Sequence, residues 1–287
     1  MTYVGGIDVG AAFTKVVLLE ETNILASSLM PSGGHYQATA EKVMAEALSK
    51  ASLSFDDIAC VVATGYGASK VSFAGWQVTD VSCQARGIYY LFPSVRTIID
   101  IGGQSSKVIK VDDKGGVVNF VVSEKCAAGS GRFLQVIARV LGIELNDIGP
   151  LSLKAQKSAK FSTSCAVFAE SETISRIAEG TPKEEILAGV HKAMAAKIFS
   201  LVNRLGMENN CALTGGGAKD TGLVKSVAEA LGAEVSVPGE PQTTAALGAA
   251  LLAKEKRKRN GEEEKKRSQK KRSQSYFPFF PILFPVR

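Results

Sequence analysis

The chain of 287 residues has no long hydrophobic run. No apolar stretch reaches the ~18–20 residues that a helix needs to span a bilayer, and no basic segment followed by an apolar one precedes the first strand, as it would in a secretory signal. We therefore expect no membrane span and a cytoplasmic location.

Cysteine is scarce as well. The five cysteines are an odd number, which argues against a disulfide framework in a chain of cytoplasmic type. Three of them lie in apolar strands or helices, where a thiol usually serves as a small buried hydrophobic group. These are Cys60, Cys83 and Cys211.

The main part of the chain has no excess of positive charge, although the formal net charge is +6. From Lys254 to Arg287 twelve Lys or Arg face four Glu, so the preceding 253 residues carry a net charge of −2. We therefore expect no nucleic-acid partner. The charge blocks and the aromatic, proline-rich stretch of 254–287 predict a solvated, disordered tail. A weak contact with an anionic or membrane surface is the alternative.

What the chain does have is an internal repeat. Residues 8–16 and 100–108 both begin with Asp-x-Gly and carry Lys seven positions after the Asp, and each copy follows an apolar run. Such a self-match predicts two copies of a strand, a glycine-bearing turn and a returning strand. Two such hairpins that face each other can hold phosphates with backbone amides, and Asp8 and Asp100 can reach Mg²⁺. The repeat predicts a nucleotide clamp built by duplication; two unrelated hairpins are the alternative.

The order of the predicted elements repeats too, which indicates an α/β fold of two similar lobes with a cleft between them. The predicted strands cover 3–9, 13–19, 58–63, 95–101, 105–111, 117–122, 211–214 and 234–237. The predicted helices cover 39–51, 80–92, 130–142, 165–179, 184–206, 219–231 and 243–253. The predicted divisions are lobe I with the first phosphate hairpin (1–93), lobe II (94–242), a closing helix (243–253) and the tail (254–287).

Three further groups are candidates for the nucleotide site. Gln104 can orient a water on the terminal phosphate, because a neutral amide both donates and accepts hydrogen bonds. Lys15 and Lys107 on the returning strands either approach phosphate or stay solvated. The glycine run 215–217, between a strand and a helix, predicts an adenosine seat because backbone can approach a ligand there. The candidate nucleotide contacts are Gly10, Ala11, Ala12, Phe13, Thr14, Lys15, Gly102, Gly103, Gly215, Gly216 and Gly217.

The two remaining cysteines stand at predicted helix starts. Cys126 precedes a helix opened by small residues, and Cys165 follows three hydroxyl-bearing residues at the start of the next helix. A helix N-terminus favours a thiolate and equally an anionic iron–sulfur cluster. Two thiolates cannot complete a four-cysteine cluster, but a two-fold dimer brings the same pair from each chain to one axis. Small buried hydrophobic residues are the alternative.

These motifs resemble those of the activator ATPases of 2-hydroxyacyl-CoA dehydratases and of the related ATPase subunits of benzoyl-CoA reductase. The resemblance covers about residues 3–253. The motifs are Gly6-Ile7-Asp8-Val9-Gly10, Ala63-Thr64-Gly65-Tyr66-Gly67, Ile99-Asp100-Ile101-Gly102-Gly103-Gln104, Lys125-Cys126-Ala127-Ala128-Gly129-Ser130-Gly131-Arg132-Phe133, Cys165-Ala166-Val167-Phe168-Ala169-Glu170-Ser171-Glu172 and Thr214-Gly215-Gly216.

The resemblance implies an actin-like fold, shared with sugar kinases and Hsp70, and MgATP hydrolysis that drives a low-potential electron into a partner enzyme. That partner would be an acyl-CoA dehydratase or an aryl-CoA reductase, and a ferredoxin or flavodoxin would donate the electron. One [4Fe–4S] cluster would be shared across a homodimer, or across a heterodimer with a related ATPase subunit. By motif position Cys126 and Cys165 would ligate the cluster. The implied nucleotide-site roles are Mg²⁺ and phosphate for Asp8 and Asp100, the attacking water for Gln104, and ATP or ADP contact for Gln242.

The chain departs from the family pattern in both phosphate loops. The first loop usually carries Ser and Thr after Gly10, where this chain has Ala11 and Ala12. The second usually has Asp after Gln104, where this chain has Ser105. Backbone amides can still bind phosphate, so we expect altered nucleotide contact rather than none. A fully competent ATPase and the less active half of a heterodimer both stay open.

Two other classes of protein also stay open. A small-molecule kinase of the same fold needs a carboxylate base over a substrate pocket and no paired cysteines. An actin-like assembly module predicts nucleotide-dependent filaments and no iron.

Overall fold

A computed structural model of the chain describes residues 2–123, 129–161, 166–208 and 210–274. Its described part contains two five-stranded sheets. Sheet I consists of β1 (Tyr3–Val9), β2 (Phe13–Glu20), β3 (Asn23–Pro31), β4 (Ile58–Thr64) and β5 (Trp76–Gln77). Sheet II consists of β6 (Thr97–Ile101), β7 (Ser106–Val111), β8 (Val117–Ser123), β9 (Cys211–Thr214) and β10 (Val235–Ser236).

The helices fall into three groups. Helix α1 (Tyr36–Ala51) lies in the first half of the chain, between β3 and β4. The helices between β8 and β10 are α3 (Gly131–Leu141), α4 (Ile148–Ser152), α5 (Ala166–Ala178), α6 (Lys183–Leu205) and α7 (Thr221–Leu231). Each half then ends in a helix that follows its last strand, α2 (Asp80–Leu91) and α8 (Thr244–Gln274).

The two sheets have the same topology, which confirms the predicted duplication. The strand order is β3-β2-β1-β4-β5 in sheet I and β8-β7-β6-β9-β10 in sheet II. In each sheet the first hairpin is antiparallel and the next strand pairs parallel to the hairpin's first strand. The equivalent central strands are therefore β1 and β6.

The central strands of sheet I, β1 and β4, are buried on both faces because helices cover each of them. Alternating side chains of β1 point in opposite directions. Ile7 and Val9 pack with α1 on one face, and Val4 packs with the alanine-rich part of α8 on the other. Gly6 allows that second contact, since a Cβ there would lie 2.1 Å from the Ala246 carbonyl oxygen.

Helices α2 and α8 each pack against the sheet of the other half of the chain. Helix α8 follows the strands of sheet II but packs on β1, β2 and β4 of sheet I. Helix α2 follows the strands of sheet I, and its Val81, Ala85 and Ile88 pack with residues of β6, β7 and β9. The two helices cross where Gly248 of α8 would place a Cβ 1.8 Å from the Cys83 carbonyl oxygen of α2. This contact joins the helix that ends one half of the chain to the helix that ends the other.

The structure corrects two predictions about the elements. Strand β3 was not predicted, although it pairs along the whole of β2. The helix predicted over 243–253 begins at Thr244 and continues to Gln274, so residues 254–274, predicted as part of a disordered tail, are helical.

The helix continues because this segment is rich in Lys, Arg and Glu, which favour helix, and because contacts with sheet I hold its beginning. Lys254 forms an ion pair with Glu21 at 2.9 Å, and Glu255 forms one with Arg86 at 2.6 Å. Residues 275–287 lie outside the described residues. Among the described residues, no helix is both long enough and apolar enough to cross a membrane.

Candidate nucleotide site

Asp8 and Asp100 lie at equivalent positions, one residue before the carboxyl ends of the central strands β1 and β6. Both are buried, with exposures of 7% and 4%. In the hairpin registers Asp8 is opposite Lys15 and Asp100 is opposite Lys107. The Lys15 ammonium contacts Asp8 Oδ2 at 2.7 Å, whereas the Lys107 ammonium is 3.4 Å from Asp100 Oδ2. The seven-residue spacing in the sequence therefore corresponds to a cross-strand ion pair in each lobe.

The turns that follow these aspartates have the same geometry and face each other. The Gly10 amide donates to the Phe13 carbonyl at 3.1 Å, and the Gly102 amide donates to the Ser105 carbonyl at 3.0 Å. A Cβ at Gly103 would lie 2.7 Å from the Ala12 Cβ across the cleft. The structure thus brings the two predicted phosphate loops into direct contact, with a glycine where a larger residue would clash.

A second pair of equivalent turns closes the site from the side. Thr64 ends β4 opposite Asp8, and Thr214 ends β9 opposite Asp100. Gly65 and Gly215 follow these strands directly. Both glycines have a left-handed φ, +87° at Gly65 and +83° at Gly215. A Cβ would lie 2.3 Å from Asp8 Oδ1 at Gly65, and 2.4 Å from Asp100 Oδ1 at Gly215. Only glycine combines this backbone conformation with this close approach.

The predicted adenosine loop is held by the segment that leads into α8. The Gly215 amide donates to the Pro241 carbonyl at 2.9 Å, and the Thr214 hydroxyl donates to the Thr244 hydroxyl at 2.8 Å. A Cβ at Gly216 would lie 3.2 Å from Gln242 Nε2. Gln242 therefore lies directly beside the glycine run. Its contact with the nucleotide stays a prediction.

The charges at the centre of the site include a third carboxylate, Asp80, which is the first residue of α2. The buried Lys107 ammonium forms a short ion pair with Asp80 Oδ2 as well as the longer one with Asp100. Burial raises the pKa of the Asp100 carboxyl; Lys107 opposes this rise, and the charges of Asp80 and Asp8 add to it. Burial lowers the pKa of the Lys107 ammonium, but Asp100 and Asp80 outweigh it and raise that pKa above its usual value. Three carboxylates share two ammonium groups here, so the site is short of positive charge.

Sequence reasoning missed Asp80 because it lies outside the repeat. The sequence predicted only that a helix begins at Asp80. The Thr79 hydroxyl caps that helix by accepting from the Ser82 amide at 3.3 Å. No local pattern places this helix start beside Lys107. A helix-capping signal was visible in the sequence, but a signal for the ion pair was not.

Ser32 was missed for a different reason: it follows β3, the strand that was not predicted. Its buried hydroxyl donates to the Gly10 carbonyl at 2.6 Å and its amide donates to the Ala12 carbonyl at 3.0 Å. The Thr14 hydroxyl lies 2.9 Å from the same Ser32 oxygen. Ser32 thus braces the first loop from behind, in a chain that lacks hydroxyls at positions 11 and 12.

The remaining predicted residues of the loops differ in exposure. Gln104 is exposed, and Ala11, Phe13 and Ser105 are half-buried. Phosphate contact by the loop residues and a water-orienting role for Gln104 stay predictions.

The second phosphate loop is hydrogen-bonded to the start of α3. The amides of Gly131 and Arg132 donate to the carbonyls of Gly102 and Gly103 at 2.9 and 3.0 Å. The Ser106 hydroxyl donates to the Gly129 carbonyl in a short hydrogen bond. The phosphate loop and the segment that follows Cys126 are therefore one hydrogen-bonded unit.

The predicted cluster ligands Cys126 and Cys165 lie outside the described residues. Helix α5 begins at Ala166, directly after Cys165. In the described ranges no group of three or more His, Cys, Asp or Glu is placed to hold a metal ion. Cys60, Cys83 and Cys211 are buried, as predicted. Burial raises the pKa of the Cys83 thiol to about 12, so that thiol stays protonated and unreactive.

Two lobes of identical topology, with a glycine turn and an aspartate from each facing the other, define a protein of the actin-like fold class. The chain belongs to the BadF/BadG/BcrA/BcrD ATPase family, whose sequence profile matches residues 6–253. The predicted family is thereby confirmed.

Individual relatives agree with this assignment. The chain is 41% identical over 251 residues to the 2-hydroxyisocaproyl-CoA dehydratase activator of Clostridioides difficile, a match that covers 88% of this chain and 94% of that protein. It is 34% identical over 237 residues to one of the benzoyl-CoA reductase subunits of Thauera aromatica, covering 80% and 84%.

Solved structures confirm the actin-like fold. The activator of the 2-hydroxyisocaproyl-CoA dehydratase from Clostridium difficile with bound ADPNP matches at a TM-score of 0.87 and 40% identity, covering 91% of this chain and 98% of that one. A ROK family glucokinase from Streptomyces griseus matches at a TM-score of 0.56 and 14% identity, covering 88% and 99%. The second likeness concerns the fold alone.

Proposed function

We propose that this protein hydrolyses MgATP between its lobes and thereby drives a low-potential electron from a [4Fe–4S] cluster into an acyl-CoA dehydratase or an aryl-CoA reductase. One observation carries the proposal: the second phosphate loop is hydrogen-bonded to the start of α3, which begins five residues after Cys126. The names of the relatives, a dehydratase activator and a benzoyl-CoA reductase component, support the choice of partner.

The carboxylates at the centre fit a divalent cation. Mg²⁺ prefers oxygen ligands and often bridges one or two carboxylates to phosphate. The raised pKa of Asp100, which burial and neighbouring carboxylates cause, indicates a site that an added positive charge would stabilise. Asp8 and Asp100 would hold Mg²⁺ directly or through water, and the loop amides after them would hold the phosphates.

Gln104 is exposed in the second loop, next to the glycines that meet the first loop. A water held by its amide would lie on the side of the terminal phosphate. The Gly215–Gly217 turn with Gln242 beside it would seat the adenosine.

Phosphate in the clamp would act on the cysteine segment through the second loop. The amides of Gly131 and Arg132 are fixed to the carbonyls of that loop, so a displacement of the loop must move the start of α3 or break two hydrogen bonds. Each of these hydrogen bonds contributes about 0.5–1.5 kcal/mol net. Cys126 lies only five residues before Gly131. Nucleotide binding is thus linked to the environment of the cysteine.

The donor set fits a cluster shared between two chains, since each chain offers Cys126 and Cys165 and a [4Fe–4S] cluster takes four thiolates. The bound cluster would supply one-electron chemistry. Helix α5, which follows Cys165, carries the exposed apolar side chains Phe168, Ile174 and Ile177. Exposed apolar side chains of this kind support an interface with a second chain. That chain is an identical copy or a related ATPase subunit, and a ferredoxin or flavodoxin supplies the electron.

The proposal is tested by iron content and visible absorption after anaerobic purification. We expect Cys126→Ala and Cys165→Ala to lose the cluster, and the three buried cysteines to be replaceable without loss of iron. The matched control variants are Cys60→Ala, Cys83→Ala and Cys211→Ala. Near four irons per dimer in Cys165→Ala would refute the shared site and favour the kinase. Mg-dependent ATP hydrolysis that persists unchanged in Asp100→Ala would refute the clamp.

A further inference from the structure

The two equivalent lysines of the site are not held in the same way. Lys15 lies directly on its cross-strand aspartate, Asp8, at 2.7 Å. The Lys107 ammonium is 3.4 Å from Asp100 and makes its shorter contact with Asp80. In a duplicated site this difference needs a cause, and that cause is the third carboxylate.

Asp80 is fixed in place by its own helix. Its Oδ1 accepts from the Val81 amide at 2.8 Å, which leaves Oδ2 for Lys107. Helix α2 is capped by Thr79 and packs against sheet II through Val81. The carboxylate is therefore a rigid anchor, set by helix packing and not by a flexible loop.

We propose that Asp80 is a positioning residue that draws Lys107 away from Asp100 and so leaves Asp100 open to direct contact with the Mg²⁺ of MgATP, whereas Asp8, held by Lys15, would reach the ion through water. An ammonium group and Mg²⁺ compete for the same carboxylate oxygens, because both are cations that bind through them. In lobe I the competition is resolved in favour of Lys15. In lobe II Asp80 holds the Lys107 ammonium, so the competition for Asp100 favours the metal ion. This inference rests on the proposed role of Asp100.

Removal of the Asp80 charge tests the idea. In Asp80→Asn the Lys107 ammonium loses its stronger partner, turns to Asp100 and opposes Mg²⁺. We expect the Mg²⁺ concentration that gives half-maximal ATPase activity to rise about tenfold, the scale of one charge-assisted contact. At saturating Mg²⁺ the kcat should stay within about twofold, because the competitor is displaced by mass action. The Kd of ADP, measured by calorimetry at low and at high Mg²⁺, should show the same dependence without turnover.

A second substitution separates positioning from mere stability. Removal of the competing ammonium in the double variant Asp80→Asn/Lys107→Met should return the Mg²⁺ requirement to the wild-type value or below it. Asp147→Asn is the matched control, since it removes one exposed carboxylate at another helix start and should leave the Mg²⁺ requirement unchanged.

The outcomes distinguish this inference from the function beneath it. An unchanged Mg²⁺ requirement in Asp80→Asn, or no rescue in the double variant, overturns the positioning role if Asp100→Ala still abolishes hydrolysis. Hydrolysis that persists in Asp100→Ala overturns the proposed function itself.

Discussion

Gly215 lies directly against Asp100, and its replacement by alanine gives a quantitative test of the clamp. At Gly215 φ is +83°, and a Cβ would lie 2.4 Å from Asp100 Oδ1. The ψ of Gly215 is 178°, and this combination of angles is essentially restricted to glycine, so alanine there costs about 1–3 kcal/mol. The carboxylate must also move by roughly 1 Å to restore ordinary contact, and overpacking of this kind adds about 1–3 kcal/mol.

The expected loss of stability for Gly215→Ala is therefore roughly 2–6 kcal/mol, which lowers the Tm of a chain of this size by roughly 5–20 °C. The substitution should also lower the rate of ATP hydrolysis. A displacement of ~1 Å at a group that positions the reacting phosphate can cost on the order of 10²-fold in rate. We expect the kcat/KM for Mg-dependent ATP hydrolysis to fall about 100-fold at a temperature at which the variant is still folded.

The assays are phosphate release under saturating Mg²⁺ and thermal unfolding followed by circular dichroism. Gly232→Ala is the matched control, because Gly232 has a φ of +63° and nothing lies within 4 Å of its added Cβ. It carries the cost of a positive φ without any clash, so its Tm should fall by only a few degrees and its ATPase rate should not change. A folded Gly215→Ala variant that hydrolyses ATP at the wild-type rate would refute the placement of Asp100 at the reacting phosphate.

Three further predictions concern other parts of the site. The pKa of the Asp100 carboxyl is raised in the folded state, so between the unfolded and the folded pKa the folded protein binds more protons than the unfolded one. Its free energy of unfolding therefore falls as the pH rises through that range. Without Mg²⁺ and nucleotide, Asp100→Asn should therefore have a higher Tm than the wild type at pH 7. That difference should shrink as the pH falls towards ~4, and a lower Tm at pH 7 would contradict it. Ser32→Ala should cost about 1–3 kcal/mol in urea unfolding, since it leaves the Gly10 carbonyl without its donor, and should weaken nucleotide binding; unchanged nucleotide affinity would show that the first loop needs no brace. Deletion of 256–287 should leave ATPase activity, iron content and the dimer intact, because the ion pairs of Lys254 and Glu255 remain; loss of the soluble dimer in gel filtration would assign that segment a structural role.

Much of the nucleotide site could be predicted from the sequence because its parts are local. An Asp and a Lys seven residues apart across a tight turn come to lie opposite each other in an antiparallel hairpin, whatever surrounds them. The same reasoning applied to both copies predicted two equivalent lobes, which the sheet orders confirm. Helices with clear apolar periodicity, such as α2 and α6, were placed within one or two residues of their observed ends.

Charge composition was a poorer guide. The run of Lys, Arg and Glu after residue 253 was interpreted as disorder, whereas α8 continues to Gln274. The same residue types are good helix formers, and a stable helix already precedes them. Extending an existing helix needs no new nucleus, so composition alone could not distinguish the two outcomes.

By itself the sequence determined the duplicated hairpins, the aspartate at each strand end and the glycine turns, because each depends on contacts within one short stretch of chain. The tertiary structure decided how these units meet. It exchanged α2 and α8 between the sheets, placed Asp80 beside Lys107, set Ser32 behind the first loop and joined the second loop to α3. These contacts connect residues that lie 20 to 30 positions apart or more, and they depend on which faces of the helices and sheets pack together. Periodicity shows that a face is apolar but not which partner covers it, so their selection belongs to the folded molecule.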